Sequence, residues 1–246
     1  MTLEIKNITG GYLHFPVLKD VSCTVASGEL VGLIGLNGAG KSTLIKEIIG
    51  LLTPSSGEIT LEGQTIRDDL ESYRKKIGFI PEQPSLYEEL TLEEHISVTA
   101  LAYDIPQEVA FERAESLLEL FRLKDKLAWF PANFSKGMKQ KVMILCAFLA
   151  EPSLYIIDEP FLGLDPLAIN ALVELMEEKK KQGAAILMST HILATAEKFC
   201  DRFVVLHEGV VIADGTIEEL RQQFDLPEQS LDEIYIHLTK VGETNA

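Results

Sequence analysis

The segment Gly35-Leu-Asn-Gly-Ala-Gly-Lys41-Ser42, a G-x-x-x-x-G-K-S run, constrains this chain more than any other. It follows the uninterrupted apolar stretch Leu30–Ile34 and precedes a helical pattern from residue 42 to about 52, stopped by Pro54. An apolar run of that kind reads as a strand covered on both faces. Strand, glycine loop and helix in that order form the setting in which such a loop cradles phosphates. Glycines 35, 38 and 40 let backbone amides turn toward phosphate oxygens, which side chains would block. The helix adds the positive end of its dipole, Lys41 a full charge, and Ser42 a hydroxyl for magnesium. The run points to a nucleoside triphosphate and is silent on what its energy drives. The bland alternative is a glycine-rich turn with a chance lysine.

The rest of the chain supports an α/β fold. Short apolar runs at residues 3–5 and 21–25 read as strands, residues 57–67 as a hairpin, and Ile77–Ile80 as a strand ending at Pro81. From about 86 to 150 the pattern is helical. Thr91-Leu-Glu-Glu94 is a capping box, Gln107–Leu120 has its apolar residues at helical spacing, and a third helix starts near Ser135. Strands return at 154–157, 185–188 and 203–206, separated by helical stretches. Such alternation implies a parallel sheet, with the middle stretch as a helical insertion. Thr216-Ile-Glu-Glu219 repeats the capping logic, and a short last helix is expected at 231–238.

Composition excludes several classes. At 246 residues, 46% hydrophobic and 24% charged, the chain can bury a full core and is neither collagen-like, disulfide-stapled nor disordered. Its length lies between one and two average domains. With 22 basic against 38 acidic residues the net charge is −16. That surface repels nucleic acid and offers no polybasic anchor for anionic lipid. The three cysteines fit no zinc spacing and read as reduced thiols of a cytosolic protein. The N-terminus has no signal-peptide pattern. The longest apolar run, residues 142–150, is far short of the roughly 20 residues that span a bilayer. Work at a membrane therefore requires another chain to cross it.

Leu154-Tyr-Ile-Ile-Asp158-Glu159 ends a buried strand on two carboxylates. In open α/β sheets ligands bind beyond such strand ends. Asp158 is suited to hold magnesium and Glu159 to polarise an attacking water, with a solvated acidic turn as the alternative. Further segments fall in a telling order: Gln83 after the Ile77–Ile80 strand, Phe134-Ser-Lys-Gly-Met138 ahead of Asp158, Gly163-Leu164-Asp165, and Ser189-Thr190-His191. Together with the phosphate loop they resemble the ATPase subunits of ATP-binding cassette (ABC) transporters over about residues 3–220. Residues 134–141, 156–168 and Trp129-Phe130-Pro131 resemble the ATPase subunits of Ecs-type bacterial exporters.

The resemblance implies an α/β P-loop NTPase core of RecA type, with an N-terminal antiparallel β subdomain and an inserted α-helical subdomain. It divides the chain into a nucleotide-binding domain at 1–220, with the insertion at about 86–150, and a short helical tail at 221–246. It implies ATP and Mg2+ as ligands. The nucleotide-binding set becomes Tyr12, Gly35, Asn37, Gly38, Ala39, Gly40, Lys41, Ser42 and Thr43, with Ser42, Gln83 and Asp158 on the metal. Glu159, His191 and Gln83 are the catalytic set. Tyr12 stacks on adenine, or is an ordinary packed tyrosine. Gln83 is a hinge residue touching metal or water, or a solvated loop glutamine. His191 bonds the terminal phosphate, or is a structural histidine. Asp165 bridges to a second subunit, or is a helix cap before Pro166.

Ser135, Lys136, Gly137 and Met138 occupy the signature that contacts nucleotide bound to a second copy. Lys136 stands where the family has glycine and Met138 where it has glutamine; Ser135 and Gly137 are kept. The implied function is an ATPase that drives the separate integral-membrane subunit of an exporter through ATP-dependent pairing of two copies. It would sit at the cytoplasmic face of the membrane through that subunit. Translation and repair ATPases of the same superfamily fit less well, since the chain has one cassette, no long heptad array and an acidic balance. A catalytically dead scaffold conflicts with Glu159 and His191.

Overall fold

The computed structural model describes residues 2–13 and 15–244. Two sheets share the molecule. The first is antiparallel, in the order β2-β1-β4-β5, from β1 (Leu3–Tyr12), β2 (Phe15–Val25), β4 (Ser56–Leu61) and β5 (Gln64–Thr65). The second has the order β10-β9-β3-β8-β7-β6, from β3 (Leu30–Ile34), β6 (Ile77–Ile80), β7 (Leu154–Asp158), β8 (Ala185–Thr190), β9 (Arg202–His207) and β10 (Val210–Gly215). Every residue of β3, β7 and β8 is buried, in keeping with the apolar runs 30–34, 154–157 and 185–188 that make up most of each.

The expected parallel sheet is present and carries one antiparallel strand at its edge. β9, β3, β8, β7 and β6 are parallel, but β10 runs antiparallel to β9. The two-residue turn Glu208-Gly209 joins them, and both residues have positive φ, as tight hairpins demand.

Helix α1 (Lys41–Ile48) follows the glycine loop. It ends earlier than the apolar pattern suggests. Leu51 N–H bonds to the Lys46 carbonyl at 2.8 Å and Gly50 N–H to that of Glu47 at 3.2 Å, which closes the last turn. A further helix, α2 (Leu70–Lys75), escapes sequence reading because only Tyr73 on it is buried. Asp69 caps it through the amides of Glu71 and Ser72.

The insertion consists of α3 (Leu92–Ala102), α4 (Gln107–Leu120) and α5 (Lys136–Leu149). Thr91 and Glu94 make the reciprocal capping bonds expected of them. The inner faces of these helices join one apolar cluster with Ile80, Ile157 and Met188 of the sheet, and α6 (Pro166–Lys181) completes it. The opposite sheet face packs on α1 and the antiparallel sheet. A third cluster gathers α7 (Leu193–Phe199), α8 (Ile217–Gln223) and α9 (Leu231–Thr244) around Ile34 and Val205. The last helix is thus longer than its sequence pattern indicates. Among the described residues no helix is long and apolar enough to cross a membrane.

Candidate nucleotide site

A cleft of about 460 Å³ opens at the carboxyl ends of β3 and β7. Leu36, Asn37, Gly38, Gly40, Lys41, Ser42 and Thr43 line one side, and Glu82, Asp158, Glu159 and His191 the other. The parallel register explains the meeting. β3 and β7 both pair with β8, so the loops after them leave the sheet on one edge.

The loop closes onto α1 at Gly40, whose φ of 111° lies where L side chains rarely go. Lys41 is buried, and its ammonium donates to the carbonyls of Gly35 at 2.7 Å and Leu36 at 3.4 Å. Burial holds Lys41 below the ordinary lysine range, against the opposing pull of Glu159, Asp158 and Glu82.

The two carboxylates are held differently. Asp158 closes β7 opposite Ser189, whose hydroxyl donates to it. Burial pushes the Asp158 carboxyl up; Glu159 and Glu82 act in the same direction, while Ser189 and Lys41 oppose them. Glu159 has a φ of 49°, a backbone state that is costly outside glycine and concentrated at functional sites. Its Oε1 meets His191 Nδ1 at 2.7 Å, and its Oε2 accepts from the Thr190 hydroxyl at 3.1 Å. Thr190 Oγ1 in turn accepts from the Ile192 amide at 3.0 Å. One strand end, Ser189-Thr190-His191, therefore supplies a partner to each carboxylate.

Other residues singled out by sequence lie elsewhere. Gln83 is exposed, outside the cleft lining, and its neighbour Glu82 lines it instead. Tyr12 is 43% exposed at the end of β1, and its hydroxyl accepts from Lys46 at 2.9 Å. Ser135 caps α5 by accepting from the Met138 amide at 3.3 Å, with Lys136, Gly137 and Met138 in the first turn. None of these four lines the cleft. Asp165 caps α6 through the Ala168 amide at 2.9 Å and pairs with Lys141 at 2.6 Å. That lysine holds the Asp165 carboxyl below the ordinary range.

Sequence reasoning missed Glu82, Ser189 and Thr190. Pro81, ending β6, was the available signal for Glu82, because the next residue leaves the sheet on the cleft side. The hydroxyls carried no signal beyond adjacency to His191.

The ABC transporter family model matches residues 18–162. The ABC-type transporter ATP-binding protein EcsA of Bacillus subtilis (strain 168) is 61% identical over 238 residues, 97% of this chain and 96% of that protein. The chain belongs to the ABC transporter family. A solved ATP-binding subunit of an ABC transporter superimposes with a TM-score of 0.95 at 58% identity, covering 97% of this chain and all of that one. The dimeric, post-hydrolysis ATP-binding cassette MJ0796, bound to ADP and Pi, gives a TM-score of 0.79 at 27% identity, covering 87% and 98%. The family carries the expected activity: this is an ATP-binding, ATP-hydrolysing subunit of the ABC transporter type.

Proposed function

We propose that the cleft hydrolyses Mg-ATP with Glu159 as general base, and that two copies enclose the nucleotide between the phosphate loop of one and the signature of the other. The observation that carries this reading is the pairing of Glu159 with His191 across from Lys41 in one cleft. Lys41 exchanges its carbonyl partners for the outer phosphates, aided by the loop amides and the start of α1. Glu159 accepts the proton of the attacking water, an assistance typically worth about 10²–10⁴ in rate. His191 keeps one carboxylate oxygen fixed and itself lines the cleft.

The donor set suits magnesium. Ser42 offers a hydroxyl, and Asp158 and Glu82 offer carboxylate oxygens, the hard ligands this ion takes alongside phosphates. Three carboxylates oppose the single ammonium of Lys41 in the cleft, an excess that a divalent cation offsets. When bound, the ion neutralises charge on the terminal phosphates. The loop role expected of Gln83 falls to Glu82, the one of the two that reaches the cleft.

Ser135, Lys136, Gly137 and Met138 stay free of the subunit's own cleft and are available to a second copy. ATP then favours the pair, because only there is it held from both sides. Likeness of residues 134–141 and 156–168 to Ecs-type exporters supports export as the direction. It also supports a place on the cytoplasmic face of the membrane, held by the membrane subunit. The test is sedimentation and turnover of Glu159→Gln with Mg-ATP. Stable dimers with turnover reduced at least about a hundredfold are expected. Persistent monomers at high concentration, or undiminished turnover, overturn the reading.

A further inference from the structure

The Gly35–Leu36 peptide is gripped from both of its ends. Its carbonyl oxygen accepts from the Lys41 ammonium at 2.7 Å. Its N–H donates to the hydroxyl oxygen of Tyr235, on the C-terminal helix, at 3.1 Å. A trans peptide is planar, with N–H and C=O pointing in opposite directions. Fixing one end therefore fixes where the other points.

Tyr235 is itself firmly placed. It is buried, with Leu231 and Ile234 of the same helix, against Ile34, the residue that leads into the glycine loop. Its ring meets His207 edge-on at 6.5 Å. The start of α9 is tied to α7 behind His191, where Leu231 N–H donates to Glu197 at 2.8 Å. Arg221 bonds the same carboxylate at 3.2 Å and the Gln229 carbonyl at 2.8 Å. The family match covers residues 18–162, so α9 lies outside it, as do His191 and the strand that leads to it.

We propose that Tyr235 is a positioning residue for nucleotide binding: by holding the Leu36 amide it fixes the Gly35–Leu36 peptide and with it the resting place of Lys41. The C-terminal helix thereby tunes the affinity of the phosphate loop. Without the phenol oxygen only Lys41 holds the peptide plane, which can rotate once that ammonium turns to the phosphates, so only a fraction of molecules keep the loop in its binding geometry. Apparent affinity falls by that fraction. This inference rests on the reading that residues 35–42 hold the phosphates.

The experiment compares the full chain with Tyr235→Phe, which keeps the ring and its packing and removes one oxygen. The readouts are Mg-ATP affinity by calorimetry and steady-state turnover. Loss of a single hydrogen-bond partner predicts an apparent dissociation constant and KM raised about fivefold or more, with kcat within about twofold. Unchanged affinity, or a lower melting temperature with no change in affinity, overturns the proposal. Hydrogen exchange at the Leu36 amide in the unaltered chain gives a second arm that does not depend on a variant folding. Protection well above the Asn37 and Gly38 amides is expected, and equal exchange overturns the proposal. Lys41→Ala separates the two levels. If it binds Mg-ATP normally, the phosphate-loop reading and this inference both fail; if it abolishes binding while Tyr235→Phe is silent, only this inference fails.

Discussion

A side-chain carbon at Gly137 would fall 2.5 Å from the carbonyl oxygen of Gly163. The signature turn of α5 and the loop before α6 are therefore in backbone contact within one subunit. A carbon at Gly163 would in turn meet the stem of Lys136 at 3.8 Å. The ion pair between Lys141 and Asp165 joins the same two segments one turn further on. Gly137→Ala must displace one segment, at a cost of about 1–3 kcal/mol for such overpacking. We expect Mg-ATP binding by the monomer to stay within about twofold while ATP-dependent pairing and turnover fall at least tenfold, since about 1.4 kcal/mol is a factor of ten. Equilibrium binding and sedimentation of the variant separate the two effects.

Lys41→Ala removes the only cationic side chain lining the cleft among the described residues. It leaves three carboxylates facing the phosphates. Turnover should fall by at least about two orders of magnitude, in keeping with the loss of one preorganised charge at a phosphoryl site. A phosphate-release assay at saturating Mg-ATP measures it, and undiminished cleavage would contradict the role given to the whole loop.

Thr190 has its hydroxyl direction determined by its neighbours. Because Ile192 N–H can only donate, the threonine oxygen accepts there and its own proton goes to Glu159. Thr190→Val deletes a hydrogen bond to a charged group, worth about 1.5–3 kcal/mol. That corresponds to a kcat about ten- to a hundredfold lower with KM little changed, and Thr190→Ser should restore most of it. Steady-state kinetics of the three proteins check the pattern.

Glu47 gives a pH signature. It is 3% exposed, packed against Gly10, and neither carboxyl oxygen has a partner among the described residues. Burial pushes its pKa from the ordinary 4.5 up to about 7. Between those values the folded chain keeps a proton that the unfolded chain gives up. The stability this contributes is complete below the unfolded value and is lost as pH rises through the folded one. Denaturant unfolding from pH 5 to 7 should show wild type losing about 1 kcal/mol per pH unit relative to Glu47→Gln. Parallel curves would remove Glu47 as the cause.

Much of this molecule was legible before any coordinates. Continuous apolar runs announce β3, β7 and β8, because strands covered on both faces have no polar face to alternate with. Thr91 with Glu94 and Thr216 with Glu219 announce their helices, because the capping bonds are local. What stayed hidden depends on three-dimensional neighbours. α2 has one buried residue and so no apolar period to detect. β10 is set by a hairpin turn whose two residues, Glu208 and Gly209, are unremarkable in sequence. In the site, Lys41, Asp158, Glu159 and His191 follow from motif and strand end. Glu82 rather than Gln83 faces the cleft because of where the chain turns after Pro81, a one-residue question that sequence alone answers poorly. Thr190 was invisible because its role is to hold another side chain.

The bond between Leu36 and Tyr235 also dictates an order of events during synthesis. The glycine loop is made first, and the hydroxyl that steadies it lies 199 residues downstream. A nascent cassette, or one truncated before α9, cannot have that loop in its finished state. Full fuel-gripping ability thus waits for α9 to be in place, so copies lacking that helix are the least able to sequester ATP.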